Sequence, residues 1–555
     1  MSADARRVKG RAPAGHAKKG LRTGAQALVE ALARAGVEIV FGYPGGNVID
    51  VFDAVRTAKF RFVLGRHEQG CVHMADGYTR ALGRPGVVLV TSGPGLTNTI
   101  TGLGCANMDG VPLVLVCGQV PLAQIGTDAF QEADTTGLTR AVSKHNFLVK
   151  SADEIPETVA QAFYIATHGK PGVVVIDVPR DCQEALTAAT YPERVSLRAY
   201  HPEVFAAPRE VSRLAKLLNE AKRPLILAGG GVIAAEASAD VAALAHKAQV
   251  PVATTLMGIG SLDERDPLAL GLAGMYGTAA ANRAIREADV LLALGVRFND
   301  RTTGDVRTFA RQAQIVHVDC DPSAIDKNVS AALGIVADIK DLLTTVNSRI
   351  RPAAHAAWCA SLARHAAPPA RVRAGAGVDP VAVIGAVAAA TRGDALVVTD
   401  VGQHQIWAAR AFRHVRPRHF LTSGGMGAMG FGIPAAIGAS LARPDARVVA
   451  FVGDGGAQMT AEELIVAVEL NLPVTFVVFV NRALGLVRQL QKEGYGARYF
   501  ATDLTSPDFV KLAAAYGLKG VRVTAADQVE PALRRALRAK VPVLVEVAIP
   551  KEACA

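Results

Sequence analysis

The sequence predicts an α/β protein of three doubly wound parallel-sheet domains, the middle one Rossmann-like. Three observations carry the fold class. Short apolar, β-branched runs alternate with helical periodicity along nearly the whole chain, the pattern of repeated βαβ units. Almost every such run ends in a glycine-containing turn, the feature that marks the carboxyl edge of open α/β sheets, where ligands bind. The chain has 555 residues, half of them hydrophobic, which is too long for one core.

Residues 1–20 are expected to form a disordered basic tail. The stretch MSADARRVKGRAPAGHAKKG has no apolar segment of the kind a secretory signal needs, and its Gly, Pro, Lys and Asp4 content disfavours an organelle transit peptide. Residues 21–185 read as the first domain. Strands are expected at Val37 to Phe41 before GYPGG, Arg61 to Leu64 before RHEQG, Gly86 to Thr91 before SGPGLTN, and Pro112 to Cys117 before GQVP. Glu68 opens a helix directly after one of these strands, so its carboxylate can face the crevice. An acid favoured there by the helix macrodipole is an equally good reading of the position alone.

Residues 205–345 read as the middle domain. PLILAGGGV, ADVLLALGVRFNDR and IVHVDCDPSAIDKN each run from a strand into a turn, although Gly229 to Gly231 alone would be a weak dinucleotide signal. Residues 351–378 are rich in Ala, Pro and Arg, without strand signals, and are expected to be a linker.

The third domain spans 379–550 and contains the stretch around which the chain is organised, VVAFVGDGGAQMTAEELIVAVELNLPVTFVVFVNRALGL. Val448 to Val452 reads as a strand. Thr460 and Glu463 have capping-box spacing before a helix over Leu464 to Leu470. Asn471, Leu472 and Pro473 stop that helix, and Val474 to Val480 is apolar enough for a strand buried on both faces. Asp454 and Asn481, 27 positions apart, therefore both fall just past carboxyl ends of parallel strands. A carboxylate and an amide oxygen are hard donors suited to a magnesium ion that also takes oxygens from a bound diphosphate. Gly453, Gly455 and Gly456 let backbone approach those phosphates. On its own, G-D-G is more often an ordinary turn; Asn481 at the end of the next strand is what changes the reading.

G-D-G with Asn481 resembles the metal and diphosphate motif of thiamine diphosphate enzymes. IGTDAFQEAD, VSKHNFLVK, GVRFNDR, HVDCDPSAIDKN and VGQHQIW extend the similarity over roughly Gly24 to Val547, and together they resemble the catalytic large subunit of the acetohydroxyacid (acetolactate) synthase family. The resemblance implies decarboxylation of pyruvate and joining of the two-carbon unit to a second 2-keto acid, pyruvate or 2-ketobutyrate, in branched-chain amino acid biosynthesis. It implies thiamine diphosphate, Mg2+ and FAD as cofactors, with 21–185 a pyrimidine-binding domain, 205–345 an FAD-binding-like middle domain and 379–550 a diphosphate- and Mg2+-binding domain. Glu68 would act on the aminopyrimidine of thiamine diphosphate. Gly402, Gln403 and His404 would meet the diphosphate, with Gly427 and Met429 supporting the bent cofactor. Asp454, Asn481 and the carbonyl of Ala483 would hold magnesium. Lys170, Arg297 and Asp319 fall at flavin positions, and Gly46, Phe130, Gln131, Arg301, Val487 and Leu490 at the substrate channel. The family also implies a homo-oligomer, a dimer or tetramer with active sites between subunits, and a regulatory small subunit as a possible partner.

The sequence departs from the family pattern in places. Leu490 replaces a common Trp, which widens the acceptor pocket. Lys170 stands where Arg is usual and cannot make its bidentate contact. Asn107 replaces an Asp, and KEACA stands in place of a Pro-rich tail. Two alternatives stay open: another thiamine diphosphate-dependent decarboxylase or oxidase of 2-keto acids, and an inactive paralogue. GTDAFQE and RFNDR, with no His-His pair, favour the carboligase over the first. Retention of Glu68, Met429, Asp454 and Asn481 weighs against the second.

Composition narrows the partners. The formal charge of +10 is spread along the chain rather than gathered into a nucleic-acid site. No apolar string approaches the roughly 20 residues that span a bilayer. Seven cysteines without a C-x-x-C pair indicate reduced thiols and a cytoplasmic location.

Overall fold

A computed structural model describes residues 20–352, 355–365 and 377–554. The basic tail, apart from Gly20, and nearly half of the expected linker lie outside the described residues. Within the linker range, Ala356–Ala363 is a helix. Its Trp358 is buried against the middle sheet and donates from Nε1 to the carbonyl of Pro224 at 3.1 Å.

Three six-stranded sheets, parallel at every pairing, make up the body. The first runs, edge to edge, Arg61–Leu64, Ile39–Gly42, Gly86–Val90, Leu113–Gln119, Val173–Pro179, His145–Leu148. The second runs Ala269–Leu272, Val252–Thr254, Pro224–Ala228, Val290–Leu294, Gln314–Asp319, Leu333–Val336. The third runs Phe420–Leu421, Leu396–Thr399, Val448–Gly453, Thr475–Val480, Val543–Ala548, Lys519–Val523. Central strands are buried at nearly every residue, which is why they read as unbroken apolar runs rather than as alternation.

The helix Glu68–Leu82 starts where the sequence places it, capped by His67 Nδ1, which accepts from Gln69 N at 3.1 Å. It ends at Gly83, whose φ of +83° is open to glycine. The helix after the G-D-G turn also forms, over Leu464–Glu469, but the expected capping box does not. Thr460 Oγ1 donates instead to the carbonyl of Gly430 at 2.9 Å. The Glu463 carboxylate accepts from the backbone N–H groups of Arg66 and His67 at 3.0–3.1 Å. Thr460 thus secures the Gly-rich turn of its own domain while Glu463 ties that domain to the start of the Glu68 helix, and a 3-10 turn at Ala461–Glu463 takes the cap's place.

That tie is part of a larger junction. The helices Glu68–Leu82 and Gly432–Ala442 make the most extensive helix contact among the described residues. One apolar core runs from Phe41, Met74 and Leu115 of the first domain to Ile437, Val452 and Phe476 of the third. The two helices approach backbone to backbone. A Cβ on Gly77 would lie 2.1 Å from the Ala435 carbonyl oxygen, and one on Gly438 would lie 1.8 Å from the Met74 carbonyl oxygen. Gly438→Ala is expected to destabilise the chain by about 1–3 kcal/mol, the usual cost of overpacking a close-packed core, read as a lowered urea midpoint. An unchanged midpoint would mean the helices can separate freely.

Candidate functional site

Two groups of predicted residues gather at carboxyl edges. In the third sheet, strands Val448–Gly453 and Thr475–Val480 are neighbours with Gly453 opposite Phe479, so Asp454 and Asn481 leave adjacent strands side by side. Asp454 is 2% exposed. Its Oδ2 accepts from Arg482 N at 2.8 Å and Ser506 Oγ at 2.6 Å, and its Oδ1 accepts from Gly455 N at 3.1 Å. Burial raises its pKa, opposed by these hydrogen bonds. Asn481 Oδ1 accepts from Ala483 N at 3.1 Å, which fixes which end of the amide presents oxygen while leaving that oxygen a second lone pair.

These residues line a small cavity of about 60 Å³ together with Gly402, Gln403, His404, Met429, Gly453, Gly455, Gly456, Ala483 and Val487. The glycines are fixed by their own neighbours. A Cβ on Gly456 would lie 2.5 Å from Asp400 Oδ1, and one on Gly453 3.0 Å from His404 Cε1. His404 is buried, its pKa is lowered to about 4 by that burial, and its Nε2 has no hydrogen-bond partner among the described residues. A neutral imidazole with an open ring nitrogen in a glycine-walled cavity is a position for a polar ligand group. Among the described residues no cluster of three or more His, Cys, Asp or Glu can hold a metal. A cation at Asp454 and Asn481 would therefore take its remaining oxygens from the Ala483 carbonyl, from water and from a ligand.

Sequence reasoning missed Asp400, which underlies this edge. It is fully buried, and its carboxylate accepts from the N–H groups of Val401, Gly430 and Gly432 at 2.7–3.1 Å. Burial pushes its pKa up to about 6. It pins the Gly-rich turn carrying Gly427 and Met429. The TDVG segment, a strand running into an acid and a glycine, was the available signal. Ser506 was also missed, and nothing local marks it.

The second group lies on the first domain. Glu68 is half-buried, and its Oε2 accepts from Asn98 Nδ2 at 2.9 Å; Asn98 was another partner the sequence did not reveal. Gly46 and Gln131 are neighbours, since a Cβ on Gly46 would lie 4.0 Å from Gln131 Oε1. Gln131 sits at φ +61° and Phe130 is 87% exposed. The loop holding them is closed by Glu132, whose carboxylate accepts from the N–H groups of Gly126, Thr127 and Ala129. Glu68, Gly46, Phe130 and Gln131 do not line either cavity described here.

The larger cavity, about 810 Å³, lies between the domains and is lined by Lys170, Arg297, Arg301, Asp319, Gly427 and Leu490. It abuts the small one, because Val401 and Leu486 line both. Lys170 Nζ pairs with Asp321 at 3.1 Å. Arg297 donates to the Met108 carbonyl and lies 3.5 Å from Asp109. Asp319 Oδ1 accepts from Asp321 N at 2.9 Å, and burial raises its pKa. All seven cysteines are free thiols. No helix among the described residues is long and apolar enough to cross a membrane.

Comparison with known proteins matches the chain to a family. Family models described as the N-terminal TPP binding domain, the central domain and the C-terminal TPP binding domain of thiamine pyrophosphate enzymes match residues 22–138, 211–346 and 400–547. The chain is 43% identical over 551 residues to a probable acetolactate synthase large subunit of Methanocaldococcus jannaschii, covering 96% of this chain and 92% of that one. It is 42% identical over 537 residues to the acetolactate synthase isozyme 3 large subunit of Escherichia coli, covering 93% and 92%. It is 41% identical over 556 residues to the mitochondrial acetolactate synthase catalytic subunit of Saccharomyces cerevisiae, covering 96% and 81%.

Proposed function

The chain belongs to the acetolactate synthase large subunits of the thiamine pyrophosphate enzymes, and on that premise we propose how its residues divide the work. It is a thiamine diphosphate-dependent acetolactate synthase, acting on 2-keto acids in branched-chain amino acid biosynthesis. What carries the residue-level reading is Asp454: a buried carboxylate held by three donors beside Asn481, lining the same cavity as the open nitrogen of His404.

Thiamine diphosphate, when bound, supplies the electron sink for losing carbon dioxide from one 2-keto acid and joining the rest to a second. The protein binds, orients and keeps water out. Asp454, Asn481 and the carbonyl of Ala483 would hold magnesium, an all-oxygen donor set suited to a hard cation. Gly402, Gln403 and His404 border the diphosphate, the latter two as hydrogen-bonding side chains, while Gly453, Gly455 and Gly456 let backbone come close. Gly427 and Met429 support the cofactor's middle. Glu68 would hydrogen-bond the aminopyrimidine ring nitrogen and share a proton with it.

Glu68, Gly46, Phe130 and Gln131 line neither cavity, and Phe130 is 87% exposed. This supports a homo-oligomer, a dimer or tetramer, in which one subunit's first domain completes the site on another's third. Phe130, Gln131, Gly46, Arg301, Val487 and Leu490 then border the 2-keto acid. Lys170, Arg297 and Asp319 border FAD in the larger cavity, whose volume of about 810 Å³ is in the range of cofactor sites. We place the enzyme in the cytoplasm, with a regulatory small subunit as a further partner. The test is acetolactate formation by the purified chain from pyruvate with thiamine diphosphate, Mg2+ and FAD; no acetolactate under those conditions would overturn the reading.

Leu490 sets the acceptor preference. It is 44% exposed and lines the larger cavity. A Trp there would give 2-ketobutyrate's extra methyl a larger rigid face, and one methylene in a shaped pocket is worth roughly 10- to 200-fold in selectivity. The parent is expected to discriminate weakly between pyruvate and 2-ketobutyrate, and Leu490→Trp to shift toward 2-ketobutyrate, read by competition as acetolactate against acetohydroxybutyrate. A parent that already prefers 2-ketobutyrate by more than about tenfold would assign the shaping to other residues.

A further inference from the structure

The helix Gly485–Gly494 carries Val487 and Leu490, yet Gln489 is the only buried residue along it. Apolar packing therefore contributes little to fixing its position. Between the two channel residues sits Arg488, whose side chain is 13% exposed and at the centre of a charged knot. Its Nε and Nη2 donate to Glu552 Oε1 at 3.0 and 2.8 Å, and its Nη1 donates to Asp503 Oδ1 at 3.3 Å. Its guanidinium lies 3.5 Å over the Tyr499 ring. The Tyr499 hydroxyl donates to Glu552 Oε2 at 3.4 Å, and Lys551 pairs with Asp503 at 2.9 Å.

Each partner leads to a different part of the site. Asp503 belongs to a strand-like segment bridged antiparallel to Ala483. Leu484 N donates to the Thr502 carbonyl at 2.7 Å, and Leu504 N donates to the Arg482 carbonyl at 2.9 Å. That segment braces the loop holding Asn481. Glu552 belongs to a C-terminal segment whose Ala553 carbonyl accepts from Gln403 Nε2 and whose Cys554 carbonyl accepts from Trp407 Nε1 at 3.2 Å. One planar guanidinium with a fixed fork of donors thus joins three segments, where a lysine would offer a single point charge.

We propose that Arg488 is a positioning residue for the 2-keto acid: it holds the wall bearing Val487 and Leu490 in register with the loop of Asn481 and the helix of Gln403. This rests on the acetolactate synthase reading above. Asp503 and Glu552 are 68% and 54% exposed, so salt screens the knot. The experiment measures steady-state kinetics on pyruvate for the parent, Arg488→Met and Glu552→Gln at low and high NaCl. Arg488→Met keeps the apolar stem and loses the fork. Its KM for pyruvate is expected to rise about 3- to 10-fold with kcat within about twofold, the signature of lost ground-state positioning. The parent's KM should rise with salt, that of Arg488→Met should not, and that of Glu552→Gln, which keeps the Asp503 contact, should rise less than the parent's.

Glu552→Gln, away from the channel, should reproduce the shift even if Arg488→Met folds poorly. An unchanged KM, a fall in kcat that tracks a fall in Tm, or variants as salt-sensitive as the parent would overturn the assignment. A parent that makes no acetolactate would instead overturn the activity on which it rests.

Discussion

Asp454→Ala is expected to bind thiamine diphosphate about 30- to several-thousand-fold more weakly at limiting magnesium, the roughly 2–5 kcal/mol that follows removal of one partner from a buried charge contact. The carboxylate is already aligned by Arg482 N, Gly455 N and Ser506 Oγ, so little ordering remains to be done when the cation arrives. Its loss leaves those donors without an acceptor and the diphosphate charge without its cation in a largely buried pocket. Titration of the apo-protein, followed by tryptophan fluorescence at several magnesium concentrations, reads the effect. Excess magnesium should recover only part of it. Ser506→Ala, which alters orientation but keeps the charge, should cost roughly 1 kcal/mol, as for one ordinary hydrogen bond. Equal affinity of Asp454→Ala and parent at limiting magnesium would remove Asp454 from the metal site.

Glu68→Gln is expected to slow exchange of the C2 hydrogen of bound thiamine diphosphate by about 100- to 10,000-fold, the range for losing a positioned acid or base. The substitution separates binding from proton sharing. Glu68 Oε2 is anchored by Asn98 Nδ2, while Oε1 makes no hydrogen bond among the described residues. A glutamine can keep the anchor and the volume but cannot hold a shareable proton. Cofactor affinity should change far less than the exchange rate, measured by quenched-flow exchange into D2O with the cofactor saturating. Normal exchange in the variant would reduce Glu68 to a helix-start residue placed for the macrodipole.

Both experiments probe positions the sequence singles out, and the reason is local. A parallel strand buried on both faces must be an unbroken apolar run, so Val448 to Val452 and Val474 to Val480 were legible, as was the turn residue just past each. Glu68, an acid directly after a strand, likewise marked a helix start. The sequence by itself determined the three alternating βα units, the start of the Glu68 helix and the emergence of Asp454 and Asn481 at a carboxyl edge. It did so because strand and helix periodicity and turn chemistry act over a few residues.

Only the tertiary structure decided the rest. Thr460 and Glu463 have the spacing of a local cap, yet they serve Gly430, Arg66 and His67, because partners well beyond their own helix in the chain are better placed in space than their own helix start. Asp400, Asn98, Ser506 and Arg488 acquire their contacts the same way. The first and third domains, separate in sequence, share one core because Gly77 and Gly438 let two helix backbones touch. No period or spacing encodes that approach, since it depends on the shape of both surfaces after each has folded.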